Sequence, residues 1–310
     1  MTSLFPTPLT ETDGWLTGPL RAPAQMLSAQ NYDGHASIHD DRAAQTLGFK
    51  GGTIEGPTHF SQFDPLAVRL FGDRWLAAGC ISAHFRNPAF EGDRLRAMAR
   101  QVAPDQAEIR MEREDGTEIL RGSLSIGPDH PVSALEERMA ALPPLEGARI
   151  LADVRVGMRT PRRPISMGFD QNMGHLYPFS LSEKLSRITE PSPAYRGAVG
   201  SWREAVIPFE MLSVLFCYTN KQDPFPVRGP AIGLFADQEI RLLDGPIFVG
   251  EPLEIAREVI ALSGSRRTES MWVRSSIHRH GMTAPAATML LNLASLKDSY
   301  KGDVDKAATA

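Results

Sequence analysis

The chain has 310 residues, 42% of them apolar and 23% charged, with a net charge of -4 at neutral pH. That is enough chain for two cores of about 150 residues each, and it offers no basic field or lysine and arginine cluster to hold a nucleic acid. No run approaches the roughly 18 apolar residues of a membrane span, so a membrane is not an expected partner either.

Residues 1–15 carry no basic segment followed by an apolar core, so no signal peptide is expected. Cys80 and Cys217 sit in apolar patterns and read as reduced core residues of a cytoplasmic protein. Residues 1–30, rich in Pro, Thr and Gly, form an irregular lead-in with one short strand. A polar loop over 31–41 follows, then a short helix over 42–47 that Gly48 stops.

Residues 50–56 lead into a first long helix, for which Pro57 suits the opening position. Phe60, Phe63, Ala67 and Leu70 share one of its faces, and Asp64-Pro65 must kink or restart it. Strands are expected over 79–87, 93–103, 106–113 and 117–126, the last two joined at Glu114, Asp115 and Gly116 by a hairpin. Residues 128–144, marked by prolines and holding a short amphipathic helix over 135–142, link two halves. The halves divide as 1–145 and 146–310.

In the second half a strand is expected over 149–158, then an irregular region rich in Met, Pro and Tyr with a helix over 181–188. The helix over 208–219 is apolar almost all round, so a sheet should wrap it. Strands follow at 233–243, 252–262, 268–278 and 284–296, before a polar tail.

One motif occurs twice. Pro88, Phe90, Gly92, Asp93 and Leu95 return 158 residues later as Pro246, Phe248, Gly250, Glu251 and Leu253. Each copy closes one strand, turns the chain at a Gly-acid pair and begins the next strand, at about the same depth in its half. A helix followed by a meander of strands, made twice, points to an internal duplication.

This arrangement resembles a double hot dog fold. The resemblance implies an α+β architecture with two long central helices, each wrapped by an antiparallel sheet, and the two sheets joined edge to edge into one. Ile38, His39, Asp41, Ala43, Ala44, Phe49 and Gly56 are similar to a segment of the MaoC-like dehydratase and (R)-specific enoyl-CoA hydratase family. There Asp-x-Asn-Pro-(Ile/Leu)-His-x-Asp precedes an Ala-rich helix and a Phe, and His-Gly opens the central helix. The resemblance implies an Asp and a His that activate water for addition across an α,β-unsaturated thioester, and a backbone N–H that holds the thioester oxygen. It makes His39 a general acid/base candidate and Gly56 an oxyanion donor.

The pattern departs at Gly34, Ala36 and Ser37, which replace the family's Asp, Asn and Pro, and at Glu55, which replaces the His of His-Gly. Two repairs are open: a one-residue slip that returns Asp33 towards His39, or a carboxylate relocated to Glu55. Glu55 beside a helix N-terminus should stay ionised and act as base while His39 supplies the proton; its plainer meaning is a first-turn anion. Asp41 is a further catalytic candidate, or simply an acid opening a short helix. His35, His39, Asp33 and Asp41 lie in a glycine-containing loop without a further ligand cluster, so no metal is expected, nor any cofactor. His59 and His84 read as partly buried structural residues.

Phe60, Phe209 and Met211 are candidates to line an acyl pocket, or ordinary core residues. Glu210, in the first turn of the second central helix, would serve a thioesterase. The expected substrate is an acyl-CoA or acyl-carrier thioester, and the expected activity a hydratase or dehydratase. The alternatives are a thioesterase on the same fold and a catalytically silent acyl-CoA-binding or partner subunit. A monomer and a homodimer are both compatible with the pattern.

Overall fold

The computed structural model describes residues 4–32, 35–199 and 202–302. In chain order its strands are β1 (Thr10–Thr12), β2 (Trp15–Thr17), the short pair β3 (Asn31–Tyr32) and β4 (His35–Ala36), β5 (Gly79–Phe85), β6 (Leu95–Ala103), β7 (Gln106–Arg113) and β8 (Glu118–Ile126). The second half adds β9 (Arg163–Ile165), β10 (Gly233–Leu242), β11 (Leu253–Gly264), β12 (Thr268–Arg279) and β13 (Ala287–Leu296). Among the described residues, all but β3 and β4 join one eleven-stranded sheet ordered β1-β2-β6-β7-β8-β5-β10-β13-β12-β11-β9. Each half keeps its own strands, and the halves meet where β5 pairs antiparallel with β10, from His84 opposite Asp237 to Cys80 opposite Arg241. That junction removes two edges that would otherwise be exposed.

The repeated motif is the same structure twice. Gly92 and Gly250 both take left-handed backbone conformations, with φ of 86° and 80°. One residue on, Asp93 accepts the N–H of Phe90 at 3.0 Å, and Glu251 accepts that of Phe248 at 3.0 Å. Arg113 then bonds Asp93 and the Pro88 carbonyl at 3.1 and 2.9 Å, while Arg279 bonds Glu251 and the Pro246 carbonyl at 2.8 and 2.9 Å. An arginine on the third strand of each meander thus locks each turn, a charge-assisted contact that short-range sequence pattern does not reveal.

The second central helix is shorter than the sequence suggests, and the first breaks where Asp64-Pro65 was expected to kink or restart it. The first is a 3-10 segment, Gly56–Phe63, running into an α-helix, Asp64–Phe71. Pro65 has no N–H to return to the Ser61 carbonyl, and the Asp64 N–H bonds Ser61 instead, which is the tighter 3-10 spacing. The second, Phe209–Cys217, has nine residues, all buried. The two meet where the Ser61 hydroxyl of the first donates to Glu210 of the second at 2.9 Å, and Trp75, just beyond the first, stacks on Phe209 at 4.7 Å.

Residues 149–158 are not a strand. The N–H groups of Arg149, Ile150 and Leu151 all donate to the buried Glu269 carboxylate at 2.9, 3.0 and 2.9 Å, so they are spent on a side chain and not on a ladder. The helix expected over 181–188 is Leu181–Leu185, opened by a Ser180–Glu183 capping box. Among the described residues no helix is long and apolar enough to cross a membrane.

Candidate active site

Helix Phe209–Cys217 spans about 13 Å at 1.5 Å per residue, whereas β11 and β12, with 12 residues each, run to about 40 Å. The sheet of the second half therefore outruns its helix. The space left beneath it is a cavity of about 930 Å³, of the size that takes a small-molecule ligand. Its apolar wall includes Met271 and Val273 of β12 and Met289, Leu291 and Leu293 of β13; His39, Glu55, Gly56, His59 and Tyr177 also line it.

Glu55 occupies the N-cap of the first central helix but makes no capping bond. Its Oε1 instead accepts the Tyr177 hydroxyl at 3.0 Å. Burial pushes its carboxyl up to about 7; Lys184 and the Tyr177 bond oppose the rise, and Glu210 adds to it. The expected permanently ionised base is thereby corrected: desolvation outweighs the favourable helix end, and the carboxyl is poised to hold or release a proton near neutrality.

His39 is placed by the glycine-rich turn that follows it. The Asp41 carboxylate accepts the Gly52 N–H at 2.8 Å, and the Thr53 N–H donates to the Ile38 carbonyl at 3.1 Å. The His39 Nδ1 lies 2.6 Å from the Thr53 carbonyl, an acceptor only, so Nδ1 carries the proton and Nε2 of the neutral ring has the lone pair. Burial lowers the His39 pKa, and the backbone bond to Thr53 opposes that fall. Gly56 follows Glu55 in the first helical turn, whose amides have no carbonyl one turn earlier to bond. A Cβ at Gly56 would fall 2.5 Å from the Phe85 ring, so any larger residue must displace that ring.

The remaining candidates are dispersed. Asp41 is exposed and spent on Gly52, away from the cavity. Asp33 lies outside the described residues. Phe60 packs in the core on Phe85 at 6.2 Å, Phe209 stacks on Trp75, and Met211 is fully buried; none of the three lines the cavity, because the apolar faces of both helices are used up in joining the halves. Glu210 accepts the Ser61 hydroxyl at 2.9 Å and lies 3.7 Å from the Lys184 Nζ, behind the helix and not in the cavity.

Three residues at the site escaped sequence reasoning. Tyr177 and Lys184 come from the irregular part of the second half, where no periodicity points at them. Lys184 is buried, donates to Thr58 at 3.0 Å and bears electrostatically on Glu55, His59 and Glu210. His59 is fully buried and lines the cavity, and its pKa is lowered to about 3 by burial and then by Lys184. Its Nδ1 has no hydrogen-bond partner among the described residues. The spacing of four residues from Glu55 was the available signal.

The duplication shows why the site is single. Ile54 donates to the Ala89 carbonyl at 2.7 Å and Ile207 to the Ile247 carbonyl at 2.9 Å, which aligns Glu55 with Pro208 and Gly56 with Phe209. The two N-cap residues share an extended backbone, with ψ of 133° and 153°. Where the first half has a carboxylate and a bare amide, the second has a proline ring and a phenyl ring.

No family model matches the chain, and no curated protein matches it in sequence. Solved structures do. A protein assigned as a MaoC-domain dehydratase from Chloroflexus aurantiacus is 12% identical, with 95% of each chain covered and a TM-score of 0.56. A conserved hypothetical protein from Mycobacterium tuberculosis, described as having a double hot dog fold, is 10% identical, with 88% of this chain and 91% of that one covered and a TM-score of 0.54. The fold is a double hot dog. In it the strand order, the β5–β10 junction and the two wrapped helices become one architecture, with the candidate site at the N-terminus of the first helix.

Proposed function

We propose that the protein is a hydro-lyase that adds water to an enoyl thioester, or removes it from a 3-hydroxyacyl thioester, with Glu55 and His39 as the acid/base pair. The observation that carries this reading is that one cavity is lined by Glu55, with its carboxyl raised to about 7, by His39, with its pKa lowered, and by Gly56 of the first helical turn. In hydration, His39 Nε2 takes a proton from water as its oxygen bonds to the β-carbon. The Gly56 N–H holds the thioester oxygen as negative charge develops on it, and protonated Glu55 delivers a proton to the α-carbon. Dehydration retraces these steps.

This pairing reverses the roles that the sequence suggested and replaces the Asp of the MaoC-like pattern with a carboxylate four residues before His59. Tyr177 positions the Glu55 carboxyl, and the apolar wall of β12 and β13 suits an acyl chain. Glu210, the carboxylate that would serve a thioesterase, is engaged by Ser61 and near Lys184.

The test follows the conjugated enoyl absorbance of short, medium and branched enoyl-CoA thioesters, beside a thiol-release assay. Absorbance should fall with wild type, and Glu55→Gln and His39→Ala should each lower the rate by about 100-fold or more while melting as folded proteins. Thiol release without hydration would make the protein a thioesterase. Binding without turnover would make it a silent acyl-CoA binder.

A further inference from the structure

Arg257, on β11, lines the cavity and is only 5% exposed. Its Nη2 donates to the Phe216 carbonyl at 2.7 Å and to the Thr219 hydroxyl at 2.9 Å, which ties the guanidinium to the C-terminal end of the second central helix. The other two nitrogens, Nε and Nη1, are buried and have no hydrogen-bond partner among the described residues. A guanidinium cannot escape this cost by losing its proton, so the buried charge needs an anion.

Among the described residues no carboxylate bonds Arg257. Asp223, the carboxylate that bears on Arg257 electrostatically, is held by Arg163 through two bonds of 2.8 Å. Cys217 also faces Arg257, but burial pushes its thiol up to about 11, so it is neutral. Met271, Val273 and Met289 give this cavity an apolar wall that strengthens an ion pair formed there, beside the polar Ser275 opposite Arg257 and the Arg163-held Asp223, which also line it.

We propose that Arg257 binds an anionic oxygen group of the ligand in this cavity, and that the natural acyl thioester carries a carboxylate at the far end of its acyl chain. The proposal rests on the thioester reading given above. The same donors would take a phosphate of the carrier; the apolar wall favours the acyl carboxylate, because a phosphate brings more charge and hydration into the same space. In this arrangement Glu55 and His39, from the first half, act at the thioester end. Arg257, from the second half, selects the chain by its terminal charge.

The experiment titrates the Glu55→Gln protein calorimetrically with adipyl-CoA and hexanoyl-CoA, which have the same chain length, and with adipyl- and hexanoyl-pantetheine, which lack the carrier phosphates. Both adipyl ligands should bind about tenfold or more tightly than their hexanoyl counterparts. Arg257→Met should erase the difference, and Arg257→Lys should retain part of it. If Arg257→Met instead weakens both CoA ligands equally and neither pantetheine ligand, the anion is a carrier phosphate. Equal binding of all four ligands in the Glu55→Gln protein overturns the proposal without need of an Arg257 variant, which covers the case in which Arg257→Met fails to fold. Failure of hydration in wild type, with the adipyl preference intact, would overturn the hydro-lyase reading alone.

Discussion

Glu55→Gln changes one atom of a buried side chain and removes one titration. The carboxyl is raised from 4.5 to about 7 mainly by burial, so the folded protein binds more protons than the unfolded chain between those values. The sign follows from this. The contribution of the protonated carboxyl is fully present below about pH 4.5, falls as pH rises, and is lost once pH passes about 7. At about 1.4 kcal/mol for each factor of ten in the proton equilibrium, the loss amounts to about 3 kcal/mol.

Glutamine stays neutral throughout and keeps an oxygen to accept the Tyr177 hydroxyl. The stability of Glu55→Gln relative to wild type should therefore be about 3 kcal/mol more favourable near pH 8.5 than near pH 4.5. Urea unfolding at both pH values, with equal m-values for the two proteins, measures it. The same relative stability at both, within about 0.5 kcal/mol, would refute the reasoning and with it the acid role of Glu55.

Two further outcomes concern the same residues. Tyr177→Phe removes a bond that holds the Glu55 carboxyl down, so the high-pH limb of kcat/KM for hydration should move up by on the order of one pH unit; a pH–rate profile with that limb unmoved or lower would show that Glu55 does not set it. Gly56→Ala places a methyl 2.5 Å from the Phe85 ring and should cut kcat by about tenfold or more; Gly56→Ala with Phe85→Leu should recover part of it if the amide's position is what was lost.

Much of the scaffold was legible because its signals are local. The strand runs that became β5 to β8 and β10 to β13 alternate or are continuously apolar and end at turn residues, and the Gly-acid motif needs φ > 0 at Gly92 and Gly250 wherever the chain folds. The errors arose where a distant group decided the local outcome. Residues 149–158 have β-prone side chains, but the Glu269 carboxylate, more than 100 positions later, takes three of their N–H groups. The break in the first central helix was legible for the opposite reason: Asp64-Pro65, which divides it into a 3-10 and an α segment, lies within the helix itself.

The site divides the same way. The residues from Ile38 to Gly56 made His39, Glu55 and Gly56 candidates in the sequence, because the resemblance to the MaoC-like pattern and its departure at Glu55 both fall on that stretch. Their protonation was not readable there. Pattern alone made Glu55 an ionised anion at a helix start; enclosure by both halves, with Tyr177 above it and Lys184 nearby, turns it into a carboxyl that titrates near 7. Asp41 looked equally acidic in the sequence and proved to be an exposed brace for Gly52. The sequence by itself determined the elements, the duplication and the neighbourhood of the site, since these depend on side-chain period, turn geometry and spacing. The tertiary structure alone decided which carboxylate lost its water, where the cavity opened and that Arg257 of the second half faces it, since desolvation and long-range pairing exist only once the two halves have closed on each other.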